Sequence, residues 1–374
     1  MRAGVWVGTG CGIALGAALQ WAWNAWCECA RARQRDARRV LDDDASAARV
    51  LVGAIELGGT TSTAALAWYK SPTDIIQTIT VPTTEPRDTM RQLTDFLRAQ
   101  ELAIGTPCSA IGIGSFGPID INEESPAYGK IMRSPKQKWE GYNLVGAVRE
   151  LFPLARILLD TDVNAPALAE LAYGKHCGST GQGLKFTRAT SAAYITVGTG
   201  VGVGVVVDGV PVHGLMHPEG GHMTASRLDG DDFVPSCCFH GDRVEIESMV
   251  NAAAIARRAG VETTQLAELP DTHPVWDTVA FYLAQLCVSI TYLVSPHVIV
   301  ISGGVLKRKV LFALIRKHFE QLNAGYCSVD KVMHKLDQFI VPPSYGYEIG
   351  IIGALHLGVM AHRRALALNV QELQ

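Results

Sequence analysis

The sequence has 374 residues, of which 48% are hydrophobic, so it is long enough for two domains with a large buried core. Its net charge of −3 provides no basic surface of the kind that nucleic-acid binding requires. The nine cysteines are scattered and odd in number, which argues against a disulfide scaffold and favours a reducing compartment.

The N-terminal segment has the length and composition of a membrane span. Residues 3–27 carry no charged side chain, and a helix of ~20 residues is enough to cross a hydrocarbon core. Glycines recur at every fourth position, at Gly4, Gly8, Gly12 and Gly16. They are followed by the tryptophans Trp21, Trp23 and Trp26 and then by the arginines Arg31, Arg33, Arg35, Arg38 and Arg39. The pattern predicts a membrane anchor with the rest of the chain on the cytosolic side. A cleaved signal, an organelle-targeting segment and a docked soluble helix are the alternatives.

The first ordered pattern after this segment is a strand, a glycine turn and a second strand. Residues 50–55 are apolar, residues 56–63 hold Gly58 and Gly59 followed by hydroxyl side chains, and residues 64–69 are apolar again. A Gly-Gly turn lets backbone amides approach an anion without obstruction, and threonine hydroxyls add donors. The pattern predicts a phosphate-binding hairpin, with an ordinary hairpin as an equal alternative.

An amphipathic helix is predicted at residues 87–100, and buried strands are predicted at residues 109–114 and 157–159. The last strand ends in two carboxylates, Asp160 and Asp162, before a helix predicted at residues 164–170. Ligands of open α/β sheets bind outside the carboxyl ends of strands. Asp162 is therefore a candidate general base, unless it merely caps the helix.

A second strand, glycine turn and strand unit occupies residues 192–207, with Gly198, Thr199 and Gly200 in the turn. A third glycine turn, Gly303 and Gly304, follows an apolar strand, and a helix is predicted at residues 277–293. The recurrence of a Gly-Thr hairpin at the start of each half predicts duplicated domains that face each other across a cleft.

Three potential metal ligands lie close together in the sequence. His222, Cys237 and His240 suit zinc, but a closed structural zinc site needs four ligands. A polar surface loop with buried thiols is the alternative.

Together these segments resemble the ROK family of sugar kinases, and within it the bacterial-type fructokinases. The resemblance covers roughly residues 50–365. The segments that carry it are Glu56-Leu-Gly-Gly-Thr60, Ser115-Phe-Gly-Pro118, Ser134-Pro-Lys136 with Trp139, Asp160-Thr-Asp-Val-Asn164, Thr196-Val-Gly-Thr-Gly-Val-Gly202, His217-Pro-Glu-Gly-Gly-His222, Cys237 with Phe239-His-Gly-Asp242, Gly303-Gly-Val305 and Gly350-Ile-Ile-Gly-Ala354.

The resemblance implies an α/β chain with the two-domain, actin-like (ribonuclease H-like) ATPase fold and a central cleft. We expect an N-terminal hydrophobic segment and Arg-rich linker at residues 1–49, a first domain at residues 50–161 that residues 355–374 could complete, and a second domain at residues 162–354. A homodimer is also expected.

The resemblance also implies the roles of individual residues. ATP phosphates would bind at Gly58, Gly59, Thr60, Thr61, Gly198, Thr199, Gly200, Gly303 and Gly304. The sugar would bind at Gly117, Pro118, Asn143, Glu219, His222 and Glu245, with Asp162 as the general base. Mg²⁺ would bridge the ATP oxygens near Glu56, and Zn²⁺ would bind His222, Cys237 and His240.

The sequence departs from the family pattern in the zinc loop. Arg243 stands where the final cysteine belongs, so the fourth ligand could be water or Cys238, or the metal could be lost. Thr61 replaces the usual lysine after Gly-Gly-Thr, and residues 246–250 replace a glycine-rich segment. Fructose is the expected substrate. The alternatives are glucose or mannose, or a catalytically degenerate, membrane-tethered protein with a sugar-binding or regulatory role.

Overall fold

The computed structural model describes residues 49–177 and 189–372, with side chains through residue 368. The predicted membrane anchor at residues 3–27 lies outside the described residues. The chain divides into one compact unit at Val50–His362 and another that comprises Met1–Arg49 and Arg363–Gln374. Only Arg49 and residues 363–372 of the second unit are described, and the following account concerns the first.

The first half of this unit is built on a five-stranded sheet with the order β3-β2-β1-β4-β5. Its strands are β1 (Leu51–Leu57), β2 (Thr61–Trp68), β3 (Ser71–Pro82), β4 (Cys108–Ser115) and β5 (Arg156–Thr161). β1, β2 and β3 form an antiparallel meander, whereas β4 pairs parallel to both β1 and β5. The central strand β1 is apolar almost throughout because it is covered on both faces.

The helices that precede β6 in the chain are α1 (Pro86–Ile104), α2 (Leu144–Leu151) and α3 (Asn164–Tyr173). Proline at the first turn and Gly105 in the left-handed conformation, with φ 73°, set the two ends of α1. Leu93 and Leu97 of α1 are fully buried against the sheet. The predicted helix is confirmed, and it is a turn longer than the apolar pattern alone indicated.

A second five-stranded sheet has the order β10-β9-β6-β7-β8. It consists of β6 (Ala192–Val197), β7 (Val201–Val207), β8 (Val210–Pro211), β9 (Val298–Ser302) and β10 (Ile340–Val341). As in the first sheet, an antiparallel hairpin (β6 and β7) lies beside a parallel strand (β9). This correspondence matches the predicted recurrence of a glycine hairpin in each half.

The helices that follow β8 are α4 (Ile246–Val250), α5 (Ala252–Ala259), α6 (Val275–Val294), α7 (Val310–Asn323), α8 (Asp330–His334), α9 (Leu336–Phe339) and α10 (Ile349–Glu372). Among the described residues, α6 alone is long and apolar enough to span a membrane, but half of it is buried in the protein. Tyr282 and Leu283 of α6 belong to the core of the second half, so α6 has the character of a core helix.

The C-terminal helix α10 packs closely against the first sheet at Gly112 in β4. A Cβ atom there would lie 1.9 Å from the carbonyl oxygen of Ala354 in α10. A glycine is needed because any side chain would push α10 off the sheet. This contact holds the start of α10 against the first sheet. The domain boundaries, and the assignment of residues 355–374 to the first domain, stay predictions.

Two features of the first sheet differ most from the sequence prediction. β2 begins at Thr61 rather than at residue 64, because Thr61, Ser62 and Thr63 pair with β3. β3 itself is a strand of 12 residues that the sequence analysis did not place. Its residues are mostly half-buried or exposed, so its hydrophobic signal is weak.

Candidate active site

A cleft of about 1920 Å³ is lined by residues from both sheets. All nine residues predicted for the nucleotide lie along it: Gly58, Gly59, Thr60, Thr61, Gly198, Thr199, Gly200, Gly303 and Gly304. The β1–β2 and β6–β7 hairpins meet in the cleft, where the hydroxyl oxygens of Thr60 and Thr199 are 3.3 Å apart. The structure therefore brings together two turns that are far apart in the chain.

The turn between β6 and β7 is held by a carboxylate from α4. Glu247 accepts a hydrogen bond of 2.8 Å from the backbone N–H of Val201. A Cβ atom at Gly200 would lie 2.6 Å from the same carboxylate oxygen, so a larger residue there would displace the Glu247 side chain. Glu247 also lines the cleft, and the sequence analysis did not identify it.

The third turn, after β9, closes against the same hairpin. Gly303 has φ 97°, and a Cβ atom there would lie 2.3 Å from the carbonyl oxygen of Val197. Gly304, the next residue, has open space at the corresponding point. The turn thus depends on one glycine for its backbone conformation and leaves the other facing the cleft.

Asp162 lies at the carboxyl end of β5 and lines the cleft. Its backbone N–H donates a 2.8 Å hydrogen bond to the carbonyl of Ser115, at the end of β4. Asp162 does not cap α3: the N-cap residue is Val163, and the N–H of Asn164 donates to the hydroxyl of Thr161 at 3.0 Å. The helix-cap interpretation of Asp162 is therefore wrong, because the chain turns one residue later than that interpretation requires.

The charge of Asp162 is disfavoured by its surroundings. Burial, and then the nearby carboxylate of Glu219, raises the pKa of Asp162 to about 7. Burial, and then the charge of Asp162, also raises the pKa of Glu56 to about 8. The carboxylate of Glu56 packs against the backbone of Gly350, where a Cβ atom would lie 1.9 Å from it. The cleft thus gathers carboxyl groups that repel one another, an arrangement that favours a bound proton or cation.

Asp160, the other carboxylate of the strand end, has a structural role. It is buried and accepts hydrogen bonds from the side-chain amide of Asn164 at 2.8 Å and from the N–H of Thr161 at 2.7 Å. The Nε2 atom of His213 lies 3.1 Å from it. Asp160 therefore holds the start of α3 in place beside Asp162.

The predicted sugar-binding residues Gly117, Pro118, Glu219 and His222 line the cleft. They are joined by His217, which is buried and was not predicted to be a site residue. Its Nε2 accepts a 3.2 Å hydrogen bond from the N–H of Ile119, and its Nδ1 lies 3.5 Å from Glu219. His217 thus ties the turn after β4 to Glu219.

Asn143 is not brought to the cleft. It is exposed and caps α2, because its side chain accepts a 2.8 Å hydrogen bond from the N–H of Gly146. Asparagine is among the preferred N-cap residues, and that local role accounts for its presence here.

His222, Cys237, His240 and Glu245 form one cluster whose potential ligand atoms all lie within 4.8 Å of one another. Glu245 was predicted to bind the sugar, but it is fully buried under the two histidines. Its oxygens lie 3.3 Å from Nδ1 of His222 and 2.7 Å from Nδ1 of His240. Cys238 and Arg243 are exposed, and neither belongs to the cluster.

This donor set fits zinc. Two imidazoles, one thiol and one carboxylate are all groups that bind Zn²⁺, and four of them suffice for a tetrahedral site. A buried carboxylate between two histidines also needs positive charge nearby, which a cation would supply. The candidate fourth ligand is therefore Glu245 rather than Cys238, and it lies two residues beyond the position where the family pattern has cysteine.

Comparisons with protein families and with known proteins point to one family, and a solved structure of that family has a similar fold. A match to the ROK family spans residues 52–360. The chain is 34% identical over 316 residues to a fructokinase of Pediococcus pentosaceus, covering 84% of this chain and 100% of the relative. It is 33% identical to a putative fructokinase of Bacillus subtilis, covering 84% and 96% of the two chains. Its fold matches the crystal structure of a ROK hexokinase from Thermus thermophilus with a TM-score of 0.63 and 24% identity, covering 83% and 98%.

Proposed function

Because this chain belongs to the ROK family and is a sugar kinase similar to fructokinases, we propose that it transfers the γ-phosphoryl group of ATP to the 6-hydroxyl of fructose. The fold is the two-domain, actin-like ATPase fold with a central cleft. The observation that carries the proposal is the position of Asp162, which lines the same cleft as both glycine hairpins.

Asp162 acts as the general base. As the sugar oxygen forms its bond to phosphorus, the hydroxyl proton moves to the Asp162 carboxylate, and the bond between the γ-phosphorus and the bridging oxygen breaks to release ADP. Phosphoryl transfer depends mainly on positioning and charge stabilisation, so the base is needed late in the reaction. A pKa of about 7 for Asp162 suits this role, because a general base is most effective when its pKa lies near the working pH.

The hairpins orient the nucleotide. Gly58, Gly59 and Gly198 present backbone groups to the phosphates without side-chain obstruction, and the hydroxyls of Thr60 and Thr199 are close enough for both to contact one phosphate. Glu219 and His217, linked to the Gly117–Pro118 turn, position the sugar on the other side of Asp162.

Two metals complete the proposal. Mg²⁺ neutralises phosphate charge when it is bound with ATP, and the mutually repelling carboxyl groups of Glu56 and Asp162 fit a site next to a divalent cation. Zn²⁺ would be held by His222, Cys237, His240 and Glu245 and would support the loop next to the sugar. The homodimer, the domain boundaries, the membrane anchor and the cytosolic location of the catalytic part also stay proposals.

The decisive experiment is a panel of fructose, glucose and mannose assayed with ATP and Mg²⁺. Fructose should be phosphorylated with the highest kcat/KM, and Asp162→Asn should lose at least about 10²-fold in kcat. Asp229→Asn, which changes an exposed carboxylate, is the matched control and should behave as the wild type. A preference for glucose or mannose would overturn the assigned substrate, and full activity of Asp162→Asn would overturn the assigned base.

A further inference from the structure

The phosphate-binding turns contain no basic side chain of their own. Neither residues 56–63 nor residues 196–202 include a lysine or arginine. The transferred phosphoryl group is anionic, and its transition state is stabilised chiefly by positive charge placed around it. The basic residues that line the cleft are Arg133, Lys136, Lys307, Arg308 and Lys309.

Three of these basic residues contact protein groups in ways that orient them. Arg308 donates a hydrogen bond to Asp271 and stacks on Trp276, with 4.5 Å to the ring centroid. Lys307 lies 4.7 Å from the centroid of the Tyr347 ring, and the guanidinium of Arg133 lies 5.4 Å from that of Phe239.

Lys136 lies between the two parts of the candidate active site. Its Nζ donates a hydrogen bond to the carbonyl of Gly59 in the first hairpin and lies 5.3 Å from the centroid of the Phe116 ring. Its backbone N–H donates to the hydroxyl of Ser134 at 3.2 Å, and that hydroxyl donates to the carbonyl of Gly117 at 3.4 Å. The residue is thus anchored to the sugar-side turn while its charge is placed on the nucleotide-side turn.

The same turn connects Lys136 to Asp162. Phe116, beneath the ammonium group, directly follows Ser115, whose carbonyl accepts the hydrogen bond from the N–H of Asp162. Within the described residues, no carboxylate forms an ion pair with Lys136. Burial lowers the pKa of Lys136, which is what partial desolvation without a counter-charge produces, and a bound anion would reverse that effect.

From this geometry we propose that Lys136 binds the γ-phosphoryl group during its transfer from ATP to the sugar hydroxyl. This inference rests on the proposed kinase function. Lys136 is assigned as a catalytic residue because its ammonium group contacts the transferring phosphoryl oxygens. Its hydrogen bond to Gly59 holds the group in position before the nucleotide arrives.

The test compares Lys136→Met with Lys138→Met. Lys138 is exposed on the same loop and pairs with Glu85 at the surface, so its replacement controls for the loss of a positive charge and for local folding. We expect Lys136→Met to lower kcat at least about 10²-fold, because the loss of one group that stabilises transition-state charge has effects of about this size. Lys136→Arg should recover part of the loss, and Lys138→Met should stay within about twofold of the wild type.

Calorimetric titration of the same variants with ADP and with a non-hydrolysable ATP analogue provides a second readout. Lys136→Met should weaken binding of the analogue about tenfold and change ADP binding less than about threefold, because only the analogue carries a γ-phosphoryl group. Equal losses for both nucleotides, or a kcat within about threefold of the wild type, would overturn the assignment. Failure of the wild type to phosphorylate any hexose would instead overturn the proposed function. The two titrations would still test whether Lys136 contacts the γ-phosphoryl group.

Discussion

The hydroxyl oxygens of Thr60 and Thr199 lie 3.3 Å apart, although 139 positions separate the two residues in the chain. They belong to the turns of two different sheets, so their contact shows where the two hairpins converge. Both side chains line the cleft.

Thr199→Val should weaken nucleotide binding about threefold to tenfold, because it removes a hydroxyl worth roughly 0.5–1.5 kcal/mol in a hydrogen bond. Titration with ADP measures the change. Thr190→Val is the control, since the hydroxyl of Thr190 donates to Asp208 and neither residue lines the cleft. Unchanged ADP affinity in Thr199→Val would show that this hydroxyl does not contact the nucleotide.

The dependence of activity on pH should report the ionisation of Asp162. A general base works only when deprotonated, and the pKa of Asp162 is raised to about 7, so kcat/KM for the sugar should rise with pH and level off above this value. Glu219→Gln removes a negative charge that contributes to the raised pKa, so it should move the acidic limb to lower pH. A limb that stays in place in this variant would contradict the electrostatic coupling of the two residues, whatever the variant's absolute activity.

The metal content of the purified protein should depend on Glu245 rather than on Cys238. Glu245→Gln should lower zinc affinity by about tenfold or more, since it removes a charged ligand, whereas Cys238→Ala should leave it unchanged. Arg243→Cys should raise the affinity, because it removes a positive charge and supplies a thiol near the cluster. Metal analysis after dialysis against a graded chelator measures all three, and loss of zinc in Cys238→Ala alone would reverse the ligand assignment.

The two adjacent glycines after β9 should differ sharply in their tolerance of a side chain. Gly303→Ala should reduce the free energy of unfolding by about 2 kcal/mol or more, because the residue has φ 97° and its new Cβ atom would meet the Val197 backbone. Gly304→Ala, where the space is open, should change it by less than about 1 kcal/mol. Urea denaturation of the pair measures the difference, and similar values for both variants would contradict this account of the turn.

The sequence was most informative where structure depends on neighbouring residues. The glycine turns at Gly58 and Gly198 can be predicted from the sequence because the glycines and the apolar strands that flank them lie within a few positions of one another. The order of the motifs also sufficed to indicate the family. Asp162 could be identified for the same reason, because it lies where an apolar strand ends.

Only the tertiary structure decided how distant side chains combine. The spacing of Cys237 and His240 pointed to a metal but not to Glu245, whose carboxylate reaches the histidines because the loop folds over it. Asn143 has a residue type compatible with sugar binding, yet local capping of α2 occupies it. The approach of Lys136 to Gly59 and of Thr60 to Thr199 depends on the packing of separate elements, which no short stretch of sequence encodes.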